Sequence, residues 1–517
     1  MYYRSFQFSP DGSRVLYNAD QDTDEVYEIY SCVVSQTWHV ASGQWDRSAN
    51  WDQGEVPDEV MSINVNPVSF ETVTSPLTDT SIFFLNIGAT DTGVATLALQ
   101  PSVTLTVLNQ TEISNRGALA GSGHFDSQGG LVNDGRVELD GMTIAAPTIE
   151  NNGVISGSGT IGAQLMNSAN GEVRVAAGQQ IHLADTGSQS NAGRIDVVGN
   201  ATQTAEIEFD GAVTNASSTG VVVGENATFR FNGGLTNEGA TALSFGTSRV
   251  FGDINNAKGT IIVSGSSNIT FYDDLVNNKI VQVSKGSTAV YFGFVSGSGS
   301  LTGSGTNFFE GDLAPGSSPG TMSFGGDVVL GTASTTQIEL GGTVAGEYDQ
   351  LDITGSVSLA STLDTMLIDG FFPGLGDTFT IISADGGVTG TFDTTNMPVL
   401  SGGLSLDLVY RPTFVALKVI SNLLLGDANN DNQVTGADLV IVQQNFGNVD
   451  PNTPTDGLFI GDANDDGKVT GADLIIVQQN FGNTLAPVGA EVPEPAWACL
   501  LALAGLGAMA RRRRVAS

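Results

Sequence analysis

LVNDGRVELDGMTIAAPTIENNGVISGSGTIGAQLMNSANGEVRV, residues 131–175, carries the pattern that decides the fold. Asn133-x-Gly135 returns as Asn151-x-Gly153, and a looser copy lies near Asn170. Between these turns stand short strands such as Val137-Glu138-Leu139 and Val173-Arg174-Val175, whose alternation puts apolar residues on one face and polar ones on the other. The beat begins at Asn115–Gly117 and continues near Asn191, Asn215, Asn237, Asn256 and Asn277, spaced about 18 residues apart at first and about 20 to 22 later. Ile195-Asp196-Val197, Ile207-Glu208-Phe209 and Phe229-Arg230-Phe231 repeat the alternation. A coil of roughly 20 residues holding two or three such strands predicts a mainly β chain built as a right-handed parallel β-helix, a solenoid whose aligned asparagines can hydrogen-bond from coil to coil. A β-sandwich also has short strands every 8 to 12 residues or so, but the one-coil period favours the solenoid.

Working outward, the repeat region is expected over 71–310 and a closing solenoid module over 311–420, where GDLAPGSSPGTMSFGGDVVL shapes turns at Pro315-Gly316 and Pro319-Gly320. Asp349 and Asp352 in that stretch read as a strand rim, not as an acid-base pair. Upstream, residues 32–70 hold Trp38, Trp45 and Trp51. These indoles could form a sugar platform; the favoured reading is an apolar cap, because the open end of a solenoid must be covered. This stretch and the closing segment resemble those of exported, autotransporter-associated β-solenoid proteins. Residues 1–31 lack the basic stretch and apolar core of a secretory signal. The run from Phe8 to Gln21, strand, Pro-Asp-Gly turn, strand, resembles one blade of TolB-like β-propellers, which implies a late reading-frame start or a fused fragment.

Downstream, the chain says nearly the same thing twice: GDANNDNQVTGADLVIVQQNFG from Gly426 and GDANDDGKVTGADLIIVQQNFG from Gly461. Oxygen-bearing side chains fall at loop positions one, three, five, nine and twelve: Asp427, Asn429, Asp431, Thr435 and Asp438, then Asp462, Asn464, Asp466, Thr470 and Asp473. Position seven, Gln433 or Lys468, offers its backbone carbonyl. Hard oxygen donors alternating along a tight loop suit Ca²⁺, one ion per loop and two in all, better than Mg²⁺, which keeps its waters. The sixth residue must turn with positive φ, at no steric cost for Gly467 and a small one for Asn432. Val434 and Val469 are expected to pair the two loops across a short bridge. Leu439, Val442 and Phe446, like Leu474, Val477 and Phe481, are expected on one apolar helical face. The competing reading is an acidic, glycine-rich surface turn, which two copies in register argue against.

Those residues resemble the type I dockerin family over 422–484, within an expected module at 421–484. The resemblance implies a small all-α fold around two Ca²⁺ ions that plugs into a cohesin-like domain on a partner protein. The family's partner-reading positions correspond to Gly436, Ala437, Gly471 and Ala472, too small to identify the partner. The duplication would permit two binding orientations related by a half-turn.

After a linker at 485–491, residues 492–517 place Pro493, Glu494 and Pro495 before a 15-residue apolar run and then Arg511, Arg512, Arg513 and Arg514. That run is short for a full membrane span of about 20 residues, and the arginines would stay cytoplasmic. The three parts resemble the PEP-CTERM sorting signal. The resemblance implies a C-terminal hydrophobic helix transiently inserted in the inner membrane, processing by an exosortase, and a mature protein at the cell envelope surface or outside the cell.

Composition bounds the function. Of 517 residues, 55 are acidic and 19 basic, a formal charge of −36 that repels nucleic acid and anionic lipid. Cys32 and Cys499 give no disulfide framework, so calcium is the expected staple. His39, His124 and His182 read as scattered surface histidines, and no nucleophile elbow, phosphate loop or zinc spacing occurs. The favoured reading is therefore an exported structural or adhesion protein with a calcium-binding assembly module. The alternative is a β-helix lyase or hydrolase acting on polysaccharide. A groove holding Arg174 or Arg194 with two aspartates on adjacent coils would favour that enzyme.

Overall fold

The computed structural model describes residues 6–19, 28–66, 71–88, 94–316, 318–401, 404–421, 424–429, 431–449, 460–464 and 466–484. The expected linker and sorting segment, including Pro493, Glu494, Pro495 and Arg511 to Arg514, lie outside these residues. Among the described residues, no helix is long and apolar enough to cross a membrane.

The chain is a parallel β-solenoid of about 12 turns followed by two short helices. One coil shows the construction. Strands Arg194–Val198, Ala205–Phe209 and Val213–Asn215 form its three sides, and each pairs in parallel with its counterpart in the next coil, Val221–Glu225, Ala227–Phe231 and Leu235–Asn237. Alternation sends Ile195, Val197, Ile207, Phe209 and Val213 into the interior, where each is at least 98 % buried. Each such burial contributes about 1.5–3 kcal/mol, so the interior supplies most of the cohesion. Aromatic rings continue the stacking between coils: Phe271 on Tyr291 (5.4 Å) and Tyr291 on Phe309 (4.9 Å) inside, Phe251 on Tyr272 (4.3 Å) outside. In strand Arg136–Asn151 the three sides merge, and it pairs in turn with Gly117–Gly121, His124–Ser127 and Leu131–Asn133.

The asparagines form the expected ladder, with different members at its start. Asn133, Asn151, Asn167, Asn191, Asn215, Asn237, Asn256 and Asn277 are all buried, and each Nδ2 donates to the Oδ1 of the next at 2.7–2.9 Å. The intervals run from 16 to 24 residues, a wider spread than the turn spacing suggests. Asn115 and Asn170 are exposed: Ile113 occupies the ladder register opposite Asn133, and Asn167 takes the place read near Asn170. The glycine of Asn-x-Gly answers to close approach. A Cβ on Gly153 would lie 2.1 Å from the Gly135 carbonyl oxygen of the preceding coil.

At the N-terminal side, Trp38, Trp45 and Trp51 are each at most 1 % exposed and meet edge to face at 5.1 Å (Trp38–Trp51) and 4.8 Å (Trp45–Trp51). No indole face is available to a sugar. Ser35–Thr37 beside them pairs in parallel with Ser62–Val65 and so starts the stack. Phe6–Phe8, Arg14–Ala19 and Glu28–Val33 form a separate antiparallel sheet, with Pro10-Asp11-Gly12 in the first turn as the sequence predicts. At the other end, strand Phe414–Ser421 runs antiparallel to Thr378–Ala384, which ends the parallel register. Asp349 is not on a rim. It is 2 % exposed, accepts the Gly320 and Glu339 N–H groups at 2.7 and 2.9 Å, and burial pushes its carboxyl up to about 6.

Candidate metal centre

The twin loops run into helices α1 (Gly436–Asn445) and α2 (Gly471–Gln479). Each helix starts on a threonine N-cap: Thr435 Oγ1 accepts the Ala437 N–H and Thr470 Oγ1 the Ala472 N–H, both at 3.1 Å. Asp438 and Asp473 complete capping boxes, accepting the Thr435 and Thr470 N–H groups at 2.7 Å. Both aspartates are fully buried, and their second oxygens accept the N–H groups of Ala428 and Ala463 at 2.9 Å, tying the start of each loop to its helix.

Within the first loop, Asp427 accepts the Asp431 and Asn432 N–H groups (3.1 and 2.7 Å), and Asp431 accepts that of Gln433 (3.0 Å). Asp462, Asp466 and the N–H groups of Asp466, Gly467 and Lys468 repeat the pattern at 3.2, 2.7 and 3.0 Å. Asn432 and Gly467 take positive φ, 63° and 80°, as the sixth position requires. Loop curvature thus gathers three carboxylates and one asparagine oxygen per copy.

The electrostatics of this gathering are unbalanced. Burial, and then the neighbouring carboxylates Asp438 and Asp431, raise the Asp427 carboxyl, while backbone N–H groups pull it down; Asp473 and Asp466 act likewise on Asp462. Among the described residues no lysine or arginine forms an ion pair with these aspartates. Clustered hard oxygens with spare lone pairs and no counter-charge fit a calcium ion, and the exposed Lys468 leaves its carbonyl available at position seven.

The two copies join differently from the expectation. Val434 and Val469 do not pair with each other: the Val434 carbonyl accepts the Gly482 N–H and the Val469 carbonyl accepts the Gly447 N–H, both at 2.8 Å. Each loop therefore grips the residues following the other copy's helix. The loops meet instead through the Gly426 N–H on the Ala463 carbonyl and the Gly461 N–H on the Ala428 carbonyl, both 2.9 Å. The side chains of Val434 and Val469 share one core with Ala428, Val442, Ala463 and Val477, against which Leu439 and Leu474 pack. Phe446 and Phe481 stay out of it, each 58 % exposed, because each lies past the last helical residue.

On the solenoid, Arg174 makes two 2.6 Å bonds to Glu172 of its own strand and Arg194 one of 2.8 Å to Asp196. The register sets Arg174 beside Asp196, so acids and bases alternate in a neutralised patch. The arrangement of a free base with two aspartates is not formed there. His182 is not a scattered histidine: its Nε2 lies 3.0 Å from Asp210, whose carboxyl is held low by hydrogen bonds from Asn232 and then from His182. Nothing in the spacing foretold this, since the partners lie 28 residues apart in coils of unequal length.

Residues 425–482 match the dockerin type I domain family. Dockerin domains bind calcium and pair with cohesin partners, typically outside the cell or at its surface. No curated protein matches the chain.

Proposed function

We propose that this chain is an exported, non-catalytic structural protein whose twin-loop module, taking one Ca²⁺ per loop, couples the β-solenoid to a cohesin-bearing partner. The observation that carries this reading is the pair of aspartate clusters, without a basic partner among the described residues, each anchored by a buried aspartate, Asp438 or Asp473, that also fixes the start of its helix. Asp427, Asn429, Asp431, the Gln433 carbonyl, Thr435 and Asp438 hold the first ion, the last two directly or through water. Asp462, Asn464, Asp466, the Lys468 carbonyl, Thr470 and Asp473 hold the second. Calcium supplies positive charge that lets three carboxylates share one loop; the chain's own N–H groups orient them. Gly436, Ala437, Gly471 and Ala472 are exposed on the first turns of the two helices and offer a flat surface to a partner.

Export and processing belong to the same proposal, with Pro493, Glu494 and Pro495 as the exosortase recognition site and Arg511 to Arg514 as the cytoplasmic stop. Mass spectrometry of protein from the native host is expected to find no peptide ending at Ser517. The assembly role is tested with immobilised cohesin domains and the full chain. Retention is expected in millimolar Ca²⁺, with loss in EDTA and in the Asp427→Ala/Asp462→Ala double variant. Retention that survives EDTA would overturn the reading.

A further inference from the structure

We propose that His182, Glu208 and Asp210 form a second kind of metal site, for a divalent transition ion such as Zn²⁺, that clamps two successive coils of the solenoid. His182 stands on strand Gln180–Leu183, and Glu208 faces it in register on Ala205–Phe209 of the next coil, with Asp210 just past that strand's end. One ligand atom from each lies within 4.8 Å of the others, and His182 Nε2 is 3.0 Å from Asp210 Oδ2. Zinc bonds of about 2.0–2.2 Å in a tetrahedron space their ligands about 3.3 Å apart, so small rotations of these half-buried side chains would close the set.

The surroundings prepare the carboxylates for a cation. Asn232, one coil further on, donates its Nδ2 to Glu208 Oε1 at 3.0 Å and to Asp210 Oδ1 at 2.9 Å, holding the two acids side by side. Arg230 sits opposite Glu208 in the register but points elsewhere: its Nε is 2.7 Å from Glu206, and its guanidinium carbon lies 4.5 Å from the centre of the Phe251 ring. Among the described residues no arginine or lysine forms an ion pair with Glu208 or Asp210. The pair of acids is thus left to a neutral amide and an imidazole. One nitrogen and two carboxylate donors favour a borderline ion over Ca²⁺, which prefers oxygen alone, and leave a coordination position for water. The site is chemically separable from the twin loops for the same reason.

The experiment is calorimetric titration of ZnCl₂ into the full chain with its loops saturated in Ca²⁺. One additional ion per chain is expected in the unaltered protein and in the His124→Ala variant. His182→Ala should lose it while keeping the far-ultraviolet circular dichroism of the solenoid. Asn232→Ala, which removes only the positioning amide, should weaken it by about tenfold. Equal zinc binding by His182→Ala and the unaltered chain, loss of the zinc signal in His124→Ala, or no uptake by the unaltered chain would each overturn the proposal.

Discussion

The solenoid and the twin-loop module are both made by repetition, yet they solve opposite problems. In the solenoid a coil buries its own apolar residues only because another coil lies on it, and the supply of partners is the chain itself: Ile195 on Val222, Ile207 on Phe229, Asn215 on Asn237. Its buried asparagines are neutral and, from Asn133 to Asn277, are joined one to the next. In the module the small shared core of Val434, Val442, Val469 and Val477 is wrapped by acidic loops whose charges repel. Stacking completes the first; the second is left with clustered acids whose charge a cation from solution would neutralise.

The largest expected effect breaks this comparison directly. Chelation by EDTA should unfold the module and leave the solenoid standing. Amide hydrogen exchange would read this as lost protection across α1 and α2 with unchanged protection at Ile195, Ile207 and Val213. Protection retained in both regions would mean that the loops hold without an ion. Next, Gly153→Val should destabilise the solenoid by about 3 kcal/mol or more, since even a Cβ would sit 2.1 Å from a backbone oxygen of the adjacent coil. A lowered urea midpoint for strand loss checks it, with the module's calcium affinity unaltered.

Asn191→Ala is a subtler blow. It removes one acceptor of Asn167 Nδ2, which keeps the Gly171 and Arg194 carbonyls, and the donor to Asn215 Oδ1, leaving that buried oxygen unpaired, for a cost of about 2–4 kcal/mol. The same urea midpoint measures it. Smallest is the pH effect of Asp349. Its folded carboxyl titrates at about 6 and its unfolded one near 3.8, so the native state holds the extra proton between those values. Its contribution is therefore most favourable below about pH 4, declines as pH rises to about 6, and is flat above; the total change is about 3 kcal/mol at most. Comparing urea midpoints of the unaltered chain and Asp349→Asn from pH 4 to 7 should show the difference between them change across that window.

Much of this was legible because period and chemistry coincide. A buried strand must alternate, and a turn pressed against its neighbour must lack a Cβ, so Gly135 and Gly153 betray the coil length. The ladder was read less well where the marker drifted: Asn167 does the work that the Asn170-Gly171 pair advertises, since both motifs look alike along a line and only the register tells them apart. The shape of the loops was plain, because the gathering of positions one, three, five and twelve is set by local curvature. The exchange of tails between Val434 and Gly482, and between Val469 and Gly447, was not, because it depends on how two copies dock. Asp349 and His182 were misjudged for a related reason: their partners, Gly320 and Asp210, come from 28 to 29 residues away, and unequal coils erase any fixed offset.

The amide column has a direction. Every Nδ2 points toward the C-terminal neighbour, and at the upper end Asn133 Oδ1 is buried without a donor, with Ile113 above it. A further storey bearing asparagine at that height could therefore be slipped in between Ile113 and Asn133 and would find an acceptor already waiting. Such a molecule can gain length by duplication of a single short segment, each newcomer disturbing only the floors directly above and below it.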